Sequence, residues 1–259
     1  MPALLLAILA GPRWAPWPLG WFLKGAALGV VLGTCHAAKY RLILRGVAAA
    51  QRQMLSTCDP EPLLDACLDI AEAQLDSPRH QRRIMEVQSL AARAARLLGR
   101  LDIAERELKT ILFGCEVYPA GGQLLVAGEA GMLMLSLGRL QEAQSWLHEA
   151  EKKVSREAAL AKAAPAIEGL RMAYRLQAEG GSEELLARFR EQLAVSEREA
   201  LLSQIAAHAN MAQYLLDLKR SDEARPHLEF VAEHGNKCAI RAEAVRALEK
   251  LDAAAEAQG

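Results

Sequence analysis

Cysteine and histidine are the residue types through which this chain could most readily do chemistry. Five cysteines are present: Cys35, Cys58, Cys67, Cys115 and Cys238. No two form a CxxC pair, and no spacing suits a structural zinc. An odd, unpatterned set fits a reducing compartment, and Cys67 and Cys115 read as small apolar packing residues. Among six histidines there is no HExxH. His227 and His234 lie seven apart and can share a helix face, but a metal there would need help from Glu229 or Glu233. The glycine-rich phosphate cradles GxGxxG and GxxxxGK[ST] and the nucleophile elbow GxSxG do not occur. Gly121-Gly122 and Gly180-Gly181 suit turns, and the acidic runs Glu183-Glu184 and Glu197-Arg198-Glu199 suit solvated helix starts and faces. The expectation is therefore no enzyme, no cofactor and no metal site.

The elements that would position these residues are helices. Of 259 residues, 49 are Ala and 42 Leu, against 10 Val, 9 Ile and 3 Thr. Ala and Leu cost a helix least, whereas strands prefer the β-branched residues that are scarce here. A large sheet is excluded, and with it the α/β folds that house most nucleotide enzymes. The 52 % hydrophobic content excludes disorder for most of the chain.

The net charge of −1 hides a division. Residues 1–58 carry Arg13, Lys24, Lys39, Arg41, Arg45 and Arg52 and no acid, so +6; residues 59–259 hold the other 25 Lys/Arg and all 32 Asp/Glu, so −7. The acidic majority lacks the clustered basic face that nucleic acid requires. The basic part is also the apolar part. Residues 18–38 run for 21 positions, ~31 Å as a helix, which matches a hydrocarbon core of ~30 Å. Trp14, Trp17 and Trp21 gather at its start, where headgroup-level indoles belong, and Lys24 lies near enough to that end to snorkel. Gly25, Gly29, Gly33 and Ala37 recur every fourth residue, a stripe that lets a second helix approach closely and could support a homo-oligomer through the span. Basic residues crowd the C-terminal flank, so the body is expected in the cytoplasm with residues 1–17 outside, as a single-pass protein of the cell membrane. Two other readings of this segment stand beside the anchor. One is a leader, for which Leu32-Gly33-Thr34-Cys35 loosely resembles a lipobox; the other is a helix packed in a soluble fold.

The body repeats. Residues 97–111 (LLGRLDIAERELKTI), 136–150 (SLGRLQEAQSWLHEA) and 217–231 (DLKRSDEARPHLEFV) align, with Ala104, Ala143 and Ala224 followed four residues later by Leu108, Leu147 and Leu228. Weaker copies are anchored at Leu63 and at Leu185 with Phe189. The anchors 63, 104, 143, 185 and 224 are separated by 41, 39, 42 and 39 residues. A helix precedes each anchor, with Ala92, Gly131, Ala173 and Ala212 as small residues where the paired helices cross. Gly99, Gly138 and Gly180 end the first helices with a positive φ, and Asp59, Asp102 and Ser182 open the second ones or lie in their first turn. Lys237 to Lys250, with Ile240, Val245, Leu248 and Leu251, predicts a capping helix. The expected architecture is all-α: a right-handed α-solenoid of about five helical hairpins over 39–238. It is preceded by a hydrophobic segment at 1–38 and followed by a cap and tail at 239–259.

The Gly138, Arg139, Leu140, Glu142, Ala143, Leu147 and Ala150 pattern, with Gly131 and Met134 before it, resembles the second and first halves of the tetratricopeptide repeat. The resemblance covers about 44–238. The unit here is near 40 residues where that family has 34, the early aromatic is replaced by Val47, Gln88, Ala127, Gly169 and His208, and the closing Pro is absent. What the resemblance implies is a concave face lined by the first helices. Its inward positions fall on Arg93, Arg96, Glu129, Met132, Arg171, Tyr174, Asn210 and Gln213; Met132, like Leu135 beside it, suits the core better. Arginines beside an aromatic could grip an acidic peptide. Only Asn210 suits the family's carboxylate clamp, so that clamp is not implied. The expected function is a membrane-anchored adaptor or scaffold that binds an unidentified protein or peptide. The alternatives are a structural subunit assembled through the span and a soluble repeat protein.

Overall fold

A computed structural model describes residues 44–73, 81–112, 120–156, 160 and 164–256, with side chains for 44–70, 85–112, 120–156, 160 and 167–256. The apolar stretch 18–38, its stripe Gly25, Gly29, Gly33 and Ala37, and Cys35 and Cys115 lie outside the described residues. Among the described residues no helix is long and apolar enough to cross a membrane.

Among the described residues there are eleven helices and no strand, in keeping with the Ala and Leu content. They are α1 (44–57), α2 (Glu61–Ala73), α3 (Gln81–Leu97), α4 (Leu101–Leu112), α5 (Ala120–Ser136), α6 (Leu140–Arg156), α7 (Ala164–Glu179), α8 (Glu183–Ser196), α9 (Leu201–Asp217), α10 (Ser221–His234) and α11 (Ala239–Glu256). The chain divides into two compact units, Met1–Ala48 and Ala49–Gly259. In the second, α3 packs on α4, α5 on α6, α9 on α10 and α10 on α11; α4 also meets α5, and α6 meets α7. First helices touch across the intervening one, α3 with α5 and α5 with α7. Antiparallel pairs whose first helices lie side by side make a stack of helical hairpins.

The repeat is written most plainly in the turns. Five residues closing a first helix have positive φ: Cys58 (54°), Gly99 (75°), Gly138 (71°), Gly180 (74°) and Lys219 (58°). Their spacing of 41, 39, 42 and 39 equals that of the anchors, each of which follows five residues later. In three turns the hydrogen bonds form a Schellman motif. The Arg100, Arg139 and Arg220 amides donate to Ala95, Met134 and Leu215 oxygens at 2.8 Å, and the preceding amides donate to Arg96, Leu135 and Leu216. The same arginines' carbonyls then accept the first bond of the next helix, from Ala104, Ala143 and Ala224. A single residue thus ends one helix and starts the next. The other two turns are one residue longer, with the first bond accepted by Pro60 and by Ser182. Ser182 Oγ caps α8 by accepting from the Leu185 amide, and Asp59 Oδ1 accepts from the Glu61 amide at 3.1 Å. Despite the longer turn, the buried stripe stays five residues past the positive φ: Leu63 and Leu185 are as buried as Ala104, Ala143 and Ala224. Four residues on, Cys67 and Phe189 occupy the place held elsewhere by Leu108, Leu147 and Leu228, all buried. Each such side chain taken from water contributes about 1.5–3 kcal/mol.

One core runs between successive units, joining Met172 and Leu176 of α7, Leu185, Leu186 and Phe189 of α8, Met211, Tyr214 and Leu215 of α9 and Ala224 of α10. Three expectations need correction. Gly121-Gly122, expected as a turn, lie within the first turn of α5. Gly131 was expected where the two helices of a hairpin cross. Instead a Cβ on Gly131 would come within 2.6 Å of Leu170 of α7, the next first helix. The close approach is therefore between units. The cap, α11, buries Ala244, whereas Val245, expected on its apolar face, is 37 % exposed.

The stack also returns on itself. Asn236 Nδ2 donates to the Thr57 carbonyl at 2.8 Å, and Lys237 Nζ lies 2.7 Å from Glu61 and 3.1 Å from Asp59. The turn between α10 and α11 thereby meets the first turn of the repeat array.

Candidate interaction surface

The first-helix face carries charge that the chain itself already uses. Glu129 of α5 sits between two arginines of α3, with Arg96 Nη2 at 3.3 Å and Arg93 Nε at 3.8 Å. Arg96 Nε is buried without a hydrogen-bond partner, so its guanidinium is only partly satisfied. Arg171 of α7 is held by Glu151 of α6 at 2.8 Å and by Glu168 one turn away. Glu151 and Glu168 raise the Arg171 pKa, the Glu151 hydrogen bond contributing most. Sequence reasoning found these arginines and Glu129 but not Glu151 and Glu168, and it did not show that the arginines pair with acids of the chain itself.

Among the remaining candidates, Tyr174 and Asn210 are half-buried and Gln213 is exposed, donating to Asp217 Oδ1 at 3.0 Å within α9. Leu135 is buried, and Met132 is half-buried on the same helix. The structure therefore brings together Arg93, Arg96 and Glu129 across α3 and α5, holds Arg171 separately, and leaves Gln213 facing solvent.

Two clusters escaped the sequence reading. The Nδ1 of His227 lies 2.9 Å from Nδ1 of His208 on α9. His208 stacks on Phe230 with ring centroids 4.0 Å apart, and His234 meets Phe230 edge-on at 4.6 Å. One of the facing nitrogens must carry a proton and the other must not, which requires at least one neutral ring. Burial, helped by the charges of His227 and His234, pushes the His208 pKa down to about 4, and burial lowers that of His227. The only sequence signal was His208 standing where the repeat family has an aromatic. Among the described residues no group of three or more His, Cys, Asp and Glu side chains could hold a metal.

The second cluster is Tyr214. It is fully buried, packs on Phe189 at 5.2 Å, and its hydroxyl both accepts from the Ser182 amide and donates to the Ser182 carbonyl. It thereby fixes the fourth turn, where Gly181 stands in the place of the turn arginine. Comparison of the chain with family models, curated proteins and solved structures finds no match.

Proposed function

We propose that this protein is a membrane-anchored scaffold whose tetratricopeptide-like, right-handed stack of hairpins binds a protein or peptide on the cytoplasmic face. The observation that carries the reading is the repeated turn, five positive-φ residues at intervals of 41, 39, 42 and 39. Stacked hairpins of this kind offer a long surface formed by side chains from several units, and such surfaces bind other chains. The anchor rests on the sequence of 18–38, its tryptophans and the basic flank that follows. The partner would meet Arg93, Arg96, Glu129, Arg171, Tyr174, Asn210 and Gln213.

The internal pairing of the arginines favours a second reading. An acidic peptide would have to displace Glu129, Glu151 and Glu168 from Arg93, Arg96 and Arg171. A structural subunit needs no such exchange, its assembly running through the Gly25, Gly29, Gly33 and Ala37 stripe.

Carbonate extraction of the full chain, beside a chain starting at Lys39, tests the anchor; recovery of both in the soluble fraction defeats it. Capture from solubilised membranes then separates the two readings. Loss of the captured partner in Arg93→Gln with Arg171→Gln supports the scaffold, and loss of assembly in Gly29→Leu alone supports the structural subunit.

A further inference from the structure

The contact between the last turn and the first brings together two thiols 180 residues apart. Cys58 is wholly buried and Cys238 is 3 % exposed, and both are free thiols. Cys238 Sγ lies 3.4 Å from the Cys58 carbonyl oxygen. Polar bonds hold the backbones in place around them: Asn236 to Thr57, and Lys237 to Asp59 and Glu61. Ala239 completes the fit against Gly99, where an added Cβ would stand 3.0 Å from that of Ala239. Cys58 also occupies a left-handed turn position, φ 54°, that three other units give to glycine. A β-carbon is disfavoured there, so the side chain at this turn comes at a conformational cost that glycine avoids.

We propose that Cys58 and Cys238 form a reversible disulfide, a covalent latch between the first and last turns of the stack, with a low-molecular-weight disulfide such as oxidised glutathione as the oxidant. The Cys58 thiolate attacks one sulfur of that disulfide, forming a mixed disulfide and expelling one thiolate. The expelled thiolate takes the Cys238 proton. The Cys238 thiolate attacks the Cys58 sulfur, the Cys58–glutathione bond breaks, and the second glutathione leaves and is protonated by the proton that Cys58 gave up. Two protein thiols are oxidised and one small disulfide is reduced to two thiols. The order of attack follows from the local electrostatics. The hydrogen bond from Cys238 lowers the Cys58 pKa, whereas that bond, burial, and the charges of Cys58 and Asp59 raise that of Cys238. Access comes from opening of the polar shell, whose Lys237 and Glu61 side chains are 50 % and 37 % exposed. Cys67 serves as an internal control: it is wholly buried, and burial, aided by Glu107, pushes its pKa up to about 12.

The test is to equilibrate the purified full chain in detergent with reduced and oxidised glutathione at a series of ratios. Free thiols are then alkylated, and the peptides mapped without reduction. The expected result is a monomer that loses two alkylatable thiols together, with one cross-linked peptide pair containing Cys58 and Cys238. Cys58→Ser and Cys238→Ser should each abolish the pair, and Cys67→Ser should retain it. The proposal is overturned if both cysteines stay alkylatable at every ratio, if either stops as a glutathione adduct, or if either pairs with another cysteine or another chain. The wild-type map decides the matter even where a variant fails to fold.

Discussion

Arg139 reaches back 34 residues to Glu105, its Nη1 lying 3.0 Å from Oε1, while the rest of its guanidinium clasps Glu142 at 2.6 Å. The same gesture recurs at Arg100, which pairs with Glu61 at 3.1 Å, and at Arg220, which pairs with Glu183 at 3.2 Å and with Glu223. Each of these turns is thus tied to the second helix of the preceding unit. The side chains are exposed, and exposed pairs give little net stability because solvent and salt screen them. The main chain of Arg139, which ends α5 and starts α6, is untouched by truncation of the side chain. Arg139→Ala should therefore lower the melting temperature only slightly, and the difference from wild type should vanish in high salt. A large, salt-independent loss in thermal melts would show that the ladder matters more than its exposure implies.

The turns allow a prediction with two signs. Lys219 adopts φ 58°, where Gly99, Gly138 and Gly180 avoid the β-carbon penalty. Lys219→Gly should stabilise the protein by about 0.5–1 kcal/mol. Gly138→Ala should cost about 1 kcal/mol, since its φ is 71° and no neighbour obstructs a Cβ, leaving backbone strain as the whole effect. Gly128→Ala, within α5 and also unobstructed, should add about 0.5–1 kcal/mol by helix propensity alone. Urea midpoints at constant m-value measure all three.

Tyr214→Phe keeps the packing on Phe189 and removes only the hydroxyl that serves the Ser182 amide and carbonyl. These backbone groups sit in a part-buried turn with no arginine to replace the lost partner. The Ser182 carbonyl keeps its bond from the Leu186 amide, so it is the Ser182 amide that loses its partner, at a cost of about 1–3 kcal/mol, with hydrogen exchange accelerated at 180–182 more than at the other turns. A loss spread evenly over all five turns would contradict this local role.

The His208 pair makes stability pH-dependent. The folded-state pKa of His208, about 4, lies below its ordinary 6.5. Above pH 6.5 both states are neutral and stability is fully present. As pH falls the unfolded chain takes up a proton first, so stability declines between about 6.5 and 4 and then levels off. With half-burial discounting the shift, the loss should be on the order of 1–2 kcal/mol, with His227 adding in the same direction. His208→Phe, which retains the stacking on Phe230, should flatten the urea midpoint between pH 7.5 and 4.5. An unchanged slope in that variant would place the titrating group elsewhere.

Helices, their pairing and the unit length were legible because they rest on local signals. Ala and Leu content, a turn glycine and an anchor five residues later each act within one or two helical turns of chain. The longer turns at Cys58 and Gly180 did not disturb the register, because the burial stripe tracks the positive-φ residue and not the helix start. What sequence could not show was which units meet. Glu129 between Arg93 and Arg96, His208 against His227, Tyr214 on Ser182 and Lys237 on Asp59 all join separate helices or turns. Their geometry depends on how successive hairpins rotate, which no short spacing encodes. The crossing point was misplaced for the same reason: Gly131 is small because of Leu170 in the next unit, and a periodic pattern shows that a residue is small without showing for whom.

A solenoid with free ends can gain or lose a unit, because each repeat answers only to its neighbours. Here Lys237 must find Asp59 and Glu61, so the number of hairpins between them is fixed by the need to arrive. Inserting or deleting one unit of about 40 residues would carry the last turn past or short of the first, however well the new unit folded. Fraying from either end of the array, the usual way such stacks come apart, also breaks the contact that joins the first turn to the last.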